Sequence, residues 1–219
     1  MSELVMETLI LGMVQTNCYI ISNQATKEAI VFDPADKAER IEQYLKANDL
    51  VCKAILLTHG HFDHILAASG LSERTNTLIY AHEAEADLLT DVRLNASGQI
   101  RRECSLKPDV LLKDQQVLQM AGFMIRVIHT PGHTAGGTCY YFTGHRLLIS
   151  GDTLFKGDIG RYDLPTGNGN QLVESICNKL MVLEDEVKVY PGHGPSTTIG
   201  YERDNNIYLS PGWDPYDGE

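Results

Sequence analysis

The sequence predicts a mixed α/β fold in which two β-sheets pack together with helices outside them. Three observations lead there. Short apolar runs of strand length recur along the 219 residues, many of them closed by Gly, Pro or Asp. Hairpin-like spacing gives way to strand–helix alternation, and this change of pattern occurs twice. Each segment rich in His or Asp directly follows an apolar strand.

The elements follow in order. Strands are expected over 7–13, 18–22 and 29–32. A helix is expected over 37–47, where Ala38, Ile41 and Leu45 share one face. The run Lys53-Ala54-Ile55-Leu56-Leu57 reads as a strand. Helices are then expected over 64–73 and 83–90, with a short strand over 77–80 between them. The polar, aperiodic stretch 91–108 reads as a long surface loop. Strands follow over 117–118, 123–129, 137–142 and 146–150, then a helix over 170–180 and a strand over 187–190. No linker or repeat interrupts the chain, and a single domain over 1–219 is expected.

Composition bounds the function. Hydrophobic content of 43% and charged content of 21% are ordinary for a globular protein. A net charge of −11 argues against nucleic acid, which calls for a basic footprint. No apolar run has the length of a membrane span, and the first residues lack the basic start and apolar stretch of a signal peptide. Cys18, Cys52, Cys104, Cys139 and Cys177 are odd in number and contain no C-x-x-C, which suits reduced thiols in the cytoplasm. Cys18 and Cys139 lie in apolar runs and are expected to fill the core.

The chemistry concentrates in Thr58-His59-Gly60-His61-Phe62-Asp63-His64. Imidazole and carboxylate are the ligands that Zn²⁺ and iron accept. Six residues cannot wrap four ligands around one ion, but they can feed two adjacent ions. Three further segments complete the set: His129-Thr130-Pro131-Gly132-His133-Thr134, Ser150-Gly151-Asp152-Thr153-Leu154-Phe155 and Pro191-Gly192-His193-Gly194-Pro195. Each places a candidate ligand beside Gly, which permits the sharp turns that ligand loops need.

The series H-x-H-x-D-H, T-P-G-H-T, G-D and G-H, between about Leu9 and Asn206, resembles the metallo-β-lactamase superfamily. Gly151-Asp152-Thr153-Leu154-Phe155 and Pro131-Gly132-His133-Thr134 look most like its glyoxalase II-like thioesterase branch. The resemblance implies a four-layer αββα sandwich and two divalent metal ions, Zn²⁺ with Fe or Mn as alternatives. It places His59, His61 and His133 on one ion, Asp63, His64 and His193 on the other, and Asp152 between them. Asp63 and Asp152 are thereby the carboxylates of the catalytic centre. The implied nucleophile is a hydroxide shared by the two ions, because metal coordination brings the pKa of water near 7. The implied substrate is a small-molecule thioester.

Other residues take supporting roles in this reading. Asp33, after the strand over 29–32, matches an acidic position of the superfamily and would orient a ligand through a hydrogen bond. Thr134 would brace the His133 loop. Lys156 and Arg161 offer a basic spot for a substrate carboxylate. His82, His129 and His145 read as structural. Against glyoxalase II itself, Asp163 and Gly194-Pro195 replace its Tyr contacts, and 26 residues after His193 leave no room for its C-terminal helical domain. The chain therefore looks like the short, single-domain type. The first alternative is a persulfide dioxygenase, whose G-R-x-D-F resembles Gly160-Arg161-Tyr162-Asp163-Leu164 and whose single iron would sit on His59, His133 and Asp152; the second is another ester or lactone hydrolase using the same hydroxide.

Overall fold

The computed structural model describes residues 3–210 and 212–216. Residues 1–2, 211 and 217–219 of the expected single-domain span lie outside them. One six-stranded sheet has the order β1-β2-β3-β4-β5-β6, built from Leu4–Leu11, Thr16–Asn23, Glu28–Phe32, Val51–Leu56, Ile79–His82 and Val110–Leu112. A second six-stranded sheet carries β7 to β10 (Val117–Met120, Phe123–His129, Thr138–Phe142, Leu147–Gly151), together with β13 (Lys188–Pro191) and β14 (Thr197–Thr198). Its order is β14-β13-β10-β9-β8-β7. β11 (Leu154–Phe155) and β12 (Asp158–Ile159) form a small ribbon beside the second sheet.

Alternation along the strands builds the layers. All eight residues of β2 are buried. Tyr19 and Ile21 enter the core between the sheets, with Phe32, Phe123, Tyr140 and Phe142. Cys18 and Ile20 enter the opposite layer, under helix α1 (Ala38–Ala47), where they join Ile41 and Leu45. On the second sheet, Cys139 and Tyr141 point outward to a third cluster containing Leu172, Ile176 and Leu180. Helix, sheet, sheet and helix are therefore stacked in four layers, each sheet carrying apolar residues on both faces. The buried Cys18 and Cys139 fill core, as expected.

Some elements differ from expectation. The strand over 7–13 stops at Leu11, because 12–15 form a turn with Gly12 and Gln15 at positive φ. The helix over 64–73 is two helices, α2 (Phe62–Ile65) and α3 (Ala68–Thr75), and the Ala67 amide at the break donates to the Pro34 carbonyl. The helix over 83–90 opens as a 3₁₀ turn, Glu83–Glu85, before α4 (Ala86–Thr90). That over 170–180 is α5 (Gly169–Ser175) followed by a π-turn, Ile176–Leu180. Several short elements went unread: the edge strands β6 and β14, the ribbon strands β11 and β12, the helix α6 (Ile199–Asn205), and the 3₁₀ turns Ser97–Ile100 and Ile207–Leu209. Such short pieces carry too few residues for a period to show. Among the described residues no helix is long and apolar enough to cross a membrane.

Candidate metal centre

The four strand ends meet along one edge. His59, His61, Asp63 and His64 follow β4, the last two inside the first turn of α2; His133 follows β8, Asp152 follows β10 and His193 follows β13. Ligand atoms converge in two triads. His133 Nε2 lies 3.2 Å from His59 Nε2 and 2.9 Å from His61 Nδ1. Asp63 Oδ2 lies 3.5 Å from His64 Nε2 and 3.2 Å from His193 Nε2. Asp152 stands between them, 3.4 Å from His64 Nε2 through Oδ1, and 3.5 and 3.8 Å from His193 and His133 Nε2 through Oδ2. All seven predicted ligands are thus brought together.

The donor set passes a test of fit. Ligands about 2.0–2.1 Å from a tetrahedral ion stand about 3.3–3.4 Å apart, close to the spacings within each triad. His64 Nε2 and Asp152 Oδ1 are buried without a hydrogen-bond partner. Buried polar atoms are normally satisfied, and a cation would satisfy both. The arrangement also needs glycine at 192, where a Cβ would lie 2.1 Å from Asp152 Oδ1. The His/Asp cluster fits a dinuclear metal centre.

Neighbouring groups set the orientation and charge of these side chains. His133 Nδ1 donates to the Arg161 carbonyl at 2.7 Å, leaving Nε2 free to ligate. Asp33 Oδ2 accepts from His64 Nδ1 at 2.9 Å, and the same carboxylate accepts from the Thr58 amide and hydroxyl. Burial and the surrounding imidazoles hold His59 well below its ordinary pKa, and bring His61 down to about 3; burial also lowers His133. These three are neutral, the form that binds metal. Burial works against protonation of His64 too, but Asp63, Asp152 and Asp33 overcome it and raise its pKa to about 10. His193 is raised despite burial by Asp63 and Asp152, and the two imidazoles hold Asp63 well below the usual carboxylate range against the cost of its own burial.

A cleft of about 360 Å³ opens over the ligands. Val14, Phe62, Ala96, Phe155 and Leu164 give it an apolar wall, and Arg161 is the cation on its lining. Arg161 is exposed and holds Asp163 through two hydrogen bonds of 2.8 Å. Lys156 is not on this lining: it faces a neighbouring groove with Lys188 and sits over the Tyr201 ring at 5.7 Å. The loop over 91–108 supplies Ala96 to the cleft, while the neighbouring Asn95 accepts the Phe62 amide through its carbonyl. His82 and His129 lie away from the ligands, stacked at 4.0 Å on each other, and His145 packs edge-on against Phe123.

Two of the supporting residues that sequence reasoning missed are Glu85 and Asn17. Glu85 is buried and accepts from Gly60, Thr134 and Gly136. Burial raises its carboxyl to about 7, against the opposing effect of those three bonds. Asn17 ties the first sheet to the His193 loop: its side-chain amide donates to the carbonyls of Pro191 and Gly194, and its main-chain amide to Gly192. Neither residue sits in a motif.

Fold and ligand edge together define a metallo-hydrolase architecture, and a metallo-beta-lactamase superfamily model matches residues 11–193. The chain belongs to that superfamily. It is 40% identical to a probable metallo-hydrolase, YqgX, of Bacillus subtilis (strain 168), covering 91% of this chain and 94% of the relative. It is 35% identical to the hydroxyacylglutathione hydrolase GloC of Haemophilus influenzae, covering 90% and 93%. Among solved structures, the BLEG-1 B3 metallo-beta-lactamase superposes with a TM-score of 0.89 at 41% identity, covering 94% of this chain and all of the other. TTHA1623 in a di-iron-bound form gives 0.81 at 32% identity, covering 93% and 100%.

Proposed function

We propose that this metallo-hydrolase cleaves thioesters, in the manner of hydroxyacylglutathione hydrolases, on two divalent ions held by His59, His61 and His133 and by Asp63, His64 and His193, with Asp152 between them. The observation that carries this reading is the double triad: the second set of ligands has no part in a mononuclear iron site on His59, His133 and Asp152. Such ions supply Lewis acidity for a carbonyl and water ionised at neutral pH. The chain's own residues do the rest. Asp33, Thr58 and the Arg161 carbonyl fix the imidazoles, so no reorganisation is needed as charge develops. The apolar wall of Val14, Phe62, Ala96, Phe155 and Leu164 receives the uncharged part of the substrate and sheds water from it. Arg161 is the cation on the cleft lining, its guanidinium already paired with Asp163, while Lys156 lies in the neighbouring groove. Likeness to GloC supports the thioester, and the free thiols suit a cytoplasmic setting.

Zn²⁺ is the ion proposed, although the donor set also accepts iron and the TTHA1623 structure holds two irons. Metal analysis of protein purified without added metal, run beside S-lactoylglutathione hydrolysis and oxygen uptake, tests the proposal. Two metals with hydrolysis are expected. One iron with oxygen consumption would replace this reading by the dioxygenase.

A further inference from the structure

Glu85 ends the 3₁₀ turn before α4 and is 1% exposed. Its Oε1 accepts the Gly60 amide at 2.8 Å; its Oε2 accepts the Gly136 amide at 2.7 Å and the Thr134 hydroxyl at 3.1 Å. Gly60 separates His59 from His61, and Thr134 and Gly136 follow His133. Two of these bonds therefore go to the loop after His133 and the third to the one amide between His59 and His61, while Asp63, His64 and the His193 loop receive none from Glu85. Contact is close at both ends. A Cβ at Gly136 would stand 2.4 Å from the Glu85 amide nitrogen, and one at Gly60 would stand 2.8 Å from Leu88 and Leu89 on the same helix.

The second triad has separate supports. The Thr16 hydroxyl donates to Asp63 at 3.1 Å, and Asn17 holds the carbonyls on either side of the Gly192-His193 pair. Asp33 is shared, since it holds His64 directly and reaches His59 through Thr58.

We propose that Glu85 is the positioning residue of the His59–His61–His133 metal position, and that a change at Glu85 weakens this position and not the other. A buried carboxylate suits the task, because it accepts from several backbone donors at once and a backbone donor left unpaired in the interior is costly. The Gln side chain has the same size, but its amide presents a donor where one of the Gly60 or Gly136 amides needs an acceptor. The proposal rests on the dinuclear reading.

Stepwise titration of the metal-free protein with Co²⁺, followed by visible absorbance, tests it. His133→Ala and His193→Ala assign the two steps. Glu85→Gln is expected to weaken the His133-dependent step about 10- to 100-fold, the usual effect of losing a group that orients a ligand, and to leave the other within about twofold. Thr134→Val removes one of the three bonds and should weaken the same step by less. Asn17→Ala should act on the His193-dependent step. Equal weakening of both steps by Glu85→Gln, or no change, overturns the proposal. If that variant does not fold, Thr134→Val decides by the same comparison. A single step in the wild-type protein would instead remove the dinuclear reading, and this proposal with it.

Discussion

At the scale of residues, the candidate ligands were legible because all seven stand in motifs beside Gly or another candidate ligand. Their supports were not. Glu85 lies 25 residues from Gly60 and 51 from Gly136, and Asn17 lies 174 from Pro191, so only folding reveals them. Asp33 was expected to orient a ligand or its loop through a hydrogen bond, and only the fold reveals that it holds Thr58 as well as His64. Asp152 faces both triads, so Asp152→Ala should cost more metal affinity than the roughly 10- to 100-fold of changes one contact further out, measured as metal retained through dialysis. An Asp152→Ala protein that keeps two metals and full turnover would refute its placement between the ions. Arg161→Ala should leave metal content unchanged, because the Arg161 main-chain carbonyl, not its guanidinium, holds His133. With the guanidinium already on Asp163, kcat/KM for acidic and uncharged thioesters should fall alike and by less than about fivefold, the scale of an exposed ion pair. A large loss confined to the acidic substrate would show that Arg161 leaves Asp163 to grip a carboxylate. Acid should also loosen metal. His64 and His193 hold protons more tightly than free imidazole, so binding must displace them, and affinity should rise with pH across the neutral range. Proton release measured by calorimetry in two buffers of different ionisation enthalpy checks this.

At the scale of elements, strands were read more securely than helices. β8 was placed at its observed bounds, because a buried strand with Gly and Pro after it announces both its period and its end. The helix over 64–73 was one element too few: the apolar pattern runs on through Leu66 and Ala67, while the backbone turns there to bond Pro34. Where β5 passes into its 3₁₀ turn, His82 accepts the Ala84 amide through Nδ1 at 3.3 Å and stacks on His129. Burial first, and the facing His129 next, lower its pKa to about 4, with Lys179 acting the same way and Glu83 and Asp114 opposing. The folded state therefore takes up fewer protons here than the unfolded chain. The stability that His82 contributes is complete above about pH 6.5 and is lost as the pH falls toward 4. Melting curves at pH 7 and 4.5 should show a smaller acid penalty for His82→Asn than for the wild-type chain.

At the scale of the whole molecule, both sheets contribute to the centre. The first provides His59, His61, Asp63 and His64; the second provides His133, Asp152 and His193. Metal binding is then also a stabilising contact between the halves. Chelation should lower the melting temperature, since ions present at 1,000 times Kd are worth about 4 kcal/mol to the state that binds them. Equal melting points with and without chelator, in a protein shown to have held two metals, would contradict this.

The sheets are joined at this edge by protein alone as well. Asn17 and Tyr19 of β2 reach the Pro191 carbonyl across the gap, Tyr140 of β9 reaches Leu57, and the Thr138 amide donates to Thr58. The sandwich is thus riveted beside its metals, before any metal arrives. Solvent exchange at the amides of Asn17, Thr138 and Gly192 should accordingly be slow even in the stripped protein, so that the empty centre waits as a rigid socket and captures ions without first having to fold around them.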